Sequence, residues 1–213
     1  LADALEMLDK DGVTRAVVLA TTGKVFCSGA DLANRTSEGP IPERSINPLY
    51  DQAVRLFSTE LPIVAAVQGA AIGAGLGLAL VADFRVASPA AKFAANFVKL
   101  GFHPGFGLTH TLPRVVGRHN AARMFLTGTR YEAEAAMWMG LVDQMVAPEH
   151  LLKAAQDMAA GLAENAPLAM RSTRKTLRAD LAAAVRAATD HEFSEQQWLM
   201  KTDDFKEGVK SVN

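Results

Sequence analysis

Apolar and polar positions along this chain fall into two kinds of stretch, one with helical spacing and one of short continuous runs. Leu1, Leu5 and Leu8 recur at helical spacing until Asp11-Gly12 stops the pattern, and Arg15-Ala-Val-Val-Leu-Ala20 follows as a short apolar run typical of a buried strand. The polar stretch from Asn34 to Asn47, with Pro40, Pro42 and Pro48 around it, reads as mobile, and its tip is a candidate lid. A helix near Leu49 to Ser58 precedes Pro62 and a second apolar run, Ile63-Val-Ala-Ala-Val67. Then Gly69-Ala-Ala-Ile-Gly-Ala-Gly75 opens another helix. Phe84-Arg-Val-Ala87 and Lys92-Phe-Ala94 look like short strands. The Gly/Pro-rich loop Gly101-Phe-His-Pro-Gly-Phe-Gly107 separates them from helical stretches near Leu108 to Val115, Asn120 to Leu126, Glu132 to Met139, Pro148 to Glu164, Pro167 to Leu177 and Leu181 to Met200.

Strands come first and helices later, joined through helices. That order predicts an α/β core over residues 1–145 and a helical C-terminal region over 146–213. With 213 residues and 49% hydrophobic content, the chain can bury a substantial core. A net charge of -1 with mixed signs offers no broad basic face to nucleic acid and no polybasic segment to a membrane surface. The single cysteine, Cys27, excludes an intramolecular disulfide, and no apolar run approaches the roughly 20 residues of a membrane helix. Small-molecule chemistry in a reducing compartment is the expectation, with the cytoplasm as its location. The chain opens at Leu1 inside a helical pattern, so further residues are expected upstream.

Two glycine-bearing segments carry the candidate chemistry. Gly23-Lys-Val-Phe-Cys-Ser-Gly-Ala-Asp-Leu32 follows a strand and passes through small residues that let backbone approach a ligand. In Ala65-Ala-Val-Gln-Gly-Ala-Ala-Ile-Gly-Ala-Gly-Leu-Gly-Leu-Ala-Leu-Val-Ala-Asp83, glycines open a helix whose first amides lack intrahelical partners. Those amides and the helix dipole stabilise a carbonyl that becomes an enolate or a tetrahedral oxyanion. Each loop taken singly is also explained by a tight turn. A dinucleotide-binding turn does not fit, because Leu78 stands where the fingerprint needs a small residue and no strand-ending acid follows at the required distance.

Together, the order and spacing of the two loops and the continuation through Asp83 resemble the crotonase (enoyl-CoA hydratase/isomerase) superfamily. Leu126-Thr-Gly128 with Ala133, Ala135-Ala136 and Gly140-Leu-Val-Asp143 resembles the segment that follows that family's active site, and Asp204-Phe-Lys-Glu-Gly208 resembles the entry to its C-terminal helix. The resemblance spans nearly the whole chain. It implies a crotonase-like spiral of ββα units with a helical C-terminal region that builds a homotrimer or a dimer of trimers. It also implies an acyl-CoA substrate that brings its own coenzyme A, with no separate cofactor. Ala30 and Ala74 would supply the two oxyanion-hole amides, and Ala30, Asp31, Leu32 and Ala74 would touch the substrate. Against the family pattern, both ends of the chain look clipped.

The catalytic carboxylates of the hydratase pattern are replaced. By the resemblance they align with Gly77 and Phe97, neither of which transfers a proton, although hydration needs both an acid and a base. The stretch His103-Pro-Gly-Phe106, where other members carry an acid, has no carboxylate. His103 is the one titratable side chain in that loop and is the candidate for proton transfer; capping or packing of the turn is the other account of it. His110, His119, His150 and His191 lack metal-ligand spacing, so no metal site is expected. Cys27 reads as packing, and Asp31 and Asp83 read as acids that orient their loops through backbone hydrogen bonds. Leu181, Val185, Ala188 and Leu199 form a stripe that fits either a partner or the core. The expected function is an acyl-CoA thioester enzyme that stabilises an enolate or oxyanion; the alternative is an acyl-CoA binding pseudoenzyme that has lost proton transfer.

Overall fold

The computed structural model describes residues 1–30 and 47–211. Ile63–Val67 (β2) is buried at every position because it lies inside a parallel sheet, between Val17–Leu19 (β1) on one side and Phe84–Ala87 (β4) on the other. Gln144–Met145 (β7) extends this sheet beyond β4, giving the order β1-β2-β4-β7. A second sheet pairs Ala70–Ile72 (β3) with Lys92–Ala94 (β5) in parallel, and β5 with Arg130–Glu132 (β6) antiparallel. The chain therefore lays strands in one sheet and then the other, β2 then β3 and β4 then β5. The helix Ala74–Val81 (α3) makes the crossover between the two pairs. This is the expected ββα spiral.

Period-two alternation in β2 divides the core. Ile63, Ala65 and Val67 face the main cluster, while Val64 and Ala66 face a second cluster with Val86. The helix Leu151–Ala163 (α6) covers that second face with Leu151, Ala155 and Ala159, one helical stripe. Helices Ala2–Lys10 (α1), Pro48–Phe57 (α2), Leu108–Thr127 (α4), Ala133–Trp138 (α5), Pro167–Leu177 (α7), Leu181–Leu199 (α8) and Asp203–Lys210 (α9) complete the layers. The two helices expected after the Gly/Pro loop are the halves of α4, which meet at the non-helical Gly117 (φ 77°, ψ 158°).

The strands depart from the sequence reading in two ways. β1 is only half-buried, because it is the edge strand of its sheet. β3 lies within the glycine segment read as a loop, and β6 and β7 carry too few apolar residues to stand out from a helical neighbourhood. The α8 stripe belongs to this chain's own core at Leu181 and Val185, and the buried face continues through Thr189, Glu192, Phe193 and Gln196. The candidate lid over Asn34 to Asn47 lies, up to residue 46, outside the described residues. Among the described residues no helix is long and apolar enough to cross a membrane.

Asp83, just past α3, does more than orient a loop. One of its oxygens accepts the Ile63 amide at 2.8 Å, and its carboxylate pairs with Arg174 (2.9 Å) and Arg178 (3.0 Å) of the C-terminal region. Arg85 is buried and donates to the carbonyls of Leu141 and Ala82, while the Arg85 amide donates to Asp143 at 2.7 Å. These bonds fix α3 and α7 to the sheet that positions the site.

Candidate active site

The two glycine-bearing segments meet at the start of α3. The Cys27 amide donates to Ala70 O (2.9 Å) and the Ile72 amide to Cys27 O (3.0 Å), so the first segment runs as a short parallel bridge beside β3. Close approach dictates the small residues there. A Cβ at Gly75 would lie 1.9 Å from Cys27 O, and one at Gly29 (φ 95°) would lie 2.8 Å from Ile72 O. Gly29 is also a near neighbour of the Ala74 amide, 3.7 Å from that same Cβ position.

Ala74 is the first residue of α3, and Gly73 precedes it at φ 56°. The Gly73 carbonyl takes the Gly77 amide, whereas the amides of the first helical turn have no intrahelical acceptor by construction. Ala30 and Ala74 both line one cavity of about 580 Å³. Its apolar wall comes mainly from Phe97, Leu100, Phe102, Phe106 and Val209, and its polar side chains include Ser28, Asn47, Tyr50, Asn96, Arg130 and Gln196. Phe97 reaches to 3.7 Å from the Cβ position of Gly73, at the α3 N-terminus. A Cβ at Gly77 would lie 2.5 Å from Cδ1 of Phe106, which itself holds a positive φ of 65°. Among the described lining residues there is no Asp, Glu or His.

Tyr50 on α2 donates its hydroxyl to Oε1 of Gln196 at 2.7 Å, and Nε2 of Gln196 donates to the carbonyls of His103 (3.0 Å) and Pro104 (3.1 Å). This one amide joins α2, the Gly/Pro loop and α8 at the cavity wall. One turn earlier on α8, Glu192 is fully buried. It accepts the amides of Gly107 (2.7 Å) and Thr109 (2.9 Å) and the Thr109 hydroxyl, which caps α4. Burial pushes the Glu192 carboxyl pKa up; the Thr109 and Gly107 hydrogen bonds and the nearby His103 act against that rise.

His103 is half-buried and is not a lining residue. Its Nδ1 lies 2.9 Å from Pro104 O, and its ring stands edge-on to that of His191 at 5.9 Å between centroids. Asp31 and Leu32 lie outside the described residues. Sequence reading missed Tyr50, Asn96, Arg130 and Gln196 at the wall and Glu192 behind it. The available signal was that Glu192 and Gln196 stand four apart on the same side of the helix as Leu181 and Val185, a face read for its apolar members only.

A two-sheet ββα spiral, with two backbone segments converging on a helix N-terminus at the mouth of an apolar cavity, defines a crotonase-like acyl-CoA enzyme. The chain belongs to the enoyl-CoA hydratase/isomerase superfamily, whose family model matches residues 1–212. It is 39% identical over 197 residues to a protein named probable enoyl-CoA hydratase EchA14 of Mycobacterium tuberculosis, covering 92% of this chain and 76% of that one. It is 34% identical over 216 residues to the 1,2-epoxyphenylacetyl-CoA isomerase of Escherichia coli, covering 99% and 82%. The crystal structure of an enoyl-CoA hydratase/isomerase from Pseudoalteromonas atlantica superimposes with a TM-score of 0.87 at 30% identity, over 99% of this chain and 83% of that one.

Proposed function

We propose that this enzyme holds an acyl-CoA thioester carbonyl between the amides of Ala30 and Ala74 and stabilises the enolate or oxyanion formed there, without the paired carboxylates of a hydratase. The observation that carries this reading is that Ala30 and Ala74 line one cavity, with Ala74 as the first residue of α3. There the unpaired amides and the helix dipole favour developing negative charge. The apolar wall around Phe97, Phe102 and Phe106 suits an acyl chain, and by the family resemblance Asp31 and Leu32 are further substrate contacts. By the family resemblance Gly77 and Phe97 stand where a hydratase carries its glutamates, which weakens hydration and double-bond isomerisation most, since both move protons, and favours C–C cleavage or thioester hydrolysis.

The homotrimer, or dimer of trimers, is part of the same proposal and is assigned to the helical region over 146–213. Large apolar side chains exposed there, Leu168 (83%) and Leu177 (72%), support it.

The test is calorimetric titration with crotonyl-CoA and acetyl-CoA, followed in the same samples by loss of the conjugated-thioester absorbance and by release of free coenzyme A. Binding with turnover is expected. Binding without turnover of either thioester would move the protein to the class of acyl-CoA binding pseudoenzymes, and absence of binding would overturn the acyl-CoA reading itself.

A further inference from the structure

A second cleft, of about 690 Å³, opens between the end of α2, the last turns of α7 and the first turn of α8. It lies at the far end of α3 from Ala74, a helix about 12 Å long, beside the Asp83 network. Arg174 is 7% exposed and the Arg178 side chain 14%, and both guanidinium groups share the one carboxylate of Asp83. Arg174 spends Nη1 on the Thr59 carbonyl, and Arg178 spends its Nη1 on Val81 O and Asp83. Nη2 of Arg174 and Nε and Nη2 of Arg178 are buried with no acceptor among the described residues. Native proteins rarely leave such donors unmet, and least of all charged ones.

Charge and backbone point the same way. Arg171 and Lys175 join the two buried arginines around the cleft, against the exposed carboxylates of Glu60 and Asp180 and the already shared Asp83, so positive charge is in excess. Burial first, and then repulsion from Arg174, push the Arg178 guanidinium pKa down. Ala182 and Ala183 line the cleft in the first turn of α8, a 19-residue helix whose N-cap residue Asp180 makes no side-chain capping bond. In that turn the Leu181 amide bonds Arg178 O and the Ala184 amide bonds Asp180 O, while those of Ala182 and Ala183 have no intrahelical acceptor.

We propose that this cleft binds a phosphate group, as inorganic phosphate or a phosphomonoester, between the unpartnered nitrogens of Arg174 and Arg178 and the first amides of α8. Donors arriving from two separate elements suit a tetrahedral oxyanion with acceptors on several sides, and the helix N-terminus adds its positive end. The site is independent of the acyl-CoA cavity and does not rest on the function assigned to it.

Inorganic phosphate and phenyl phosphate are titrated calorimetrically into the whole chain at constant ionic strength, with chloride as the control anion and thermal unfolding followed in parallel. Saturable binding and a rise in Tm that chloride does not give are expected. Tighter binding of phenyl phosphate assigns the site to a phosphomonoester, and equal or weaker binding assigns it to the free ion. Arg178→Met removes two of the unmet donors and is expected to weaken binding at least tenfold. Ala182→Glu supplies a carboxylate in the first turn of α8, where the helix dipole favours it. This variant is expected to fold, to melt higher than the parent without phosphate, and to lose phosphate binding at least tenfold. Absence of phosphate-specific binding, or unchanged affinity in Ala182→Glu, overturns the proposal.

Discussion

Phe106 packs onto α3 so closely that a Cβ at Gly77 would lie 2.5 Å from its Cδ1. The ring thus occupies the space into which any side chain at position 77 would have to project, and Phe106 holds a left-handed backbone conformation (φ 65°) that an aromatic residue rarely adopts. The wall of the acyl-CoA cavity is apolar here because two residues far apart in sequence are matched in volume.

Gly77→Glu alone is therefore expected to destabilise the fold by about 1–3 kcal/mol through overpacking. Combining it with Phe106→Gly, which removes the ring and suits the positive φ, is expected to restore part of the loss, so the two changes are strongly non-additive. Denaturant unfolding of the parent, both single variants and the double variant measures the coupling. Additive single effects would mean that the ring gives way without cost.

Ala74→Pro removes the amide proposed to face the thioester oxygen while leaving a residue that the first helical position accepts. Turnover is expected to fall by about a hundredfold or more, with far-ultraviolet circular dichroism and the unfolding midpoint close to those of the parent. Unchanged turnover in a folded variant would remove Ala74 from the oxyanion hole.

His103→Ala is expected to leave turnover within about tenfold of the parent. A general acid or base commonly contributes a factor of about 10²–10⁴, and this ring packs against His191 rather than lining the cavity. The steady-state pH profile of the variant reads the same point. Loss of a limb near the usual histidine range would place the imidazole in proton transfer.

Glu192 supplies a pH dependence of stability with a definite sign. Its carboxyl pKa is raised in the folded state, chiefly by burial. Between the unfolded value, about 4.3, and the raised folded one, the native protein binds more protons than the unfolded chain. Stability from this group is therefore greatest at low pH and declines as pH rises through that window. Urea midpoints from acid to neutral pH, taken as the parent minus Glu192→Gln, are expected to decline with rising pH. A difference that grows instead would mean that the three hydrogen bonds to the carboxylate outweigh its burial.

The chain's sequence by itself determined most of the helices, the order of β1, β2, β4 and β5, the α/β class, the family resemblance and the two glycine-bearing segments of the site. Each of these rests on local demands: apolar periodicity in α1, a continuous apolar run in β2, and glycines where backbone passes within contact distance, as at Gly29 and Gly75. Such demands act within a few residues and leave their mark on composition. β3, β6 and β7 escaped because short strands paired across the fold need no pattern of their own.

What only the tertiary structure decided is which distant side chains meet. Tyr50 and Gln196 bond at 2.7 Å, Asp83 holds Arg174 and Arg178, and Phe106 fills the space above Gly77. In the linear sequence Gln196 and Glu192 look like ordinary solvated residues of a helix, and His103 looks like the best titratable group at the cavity. The packing of α8 against α2 and α4 buries the first two, and the third stands edge-on to His191 of the same helix. Which face a helix presents, and what it meets there, depends on the whole chain closing around the core. No local pattern encodes that outcome.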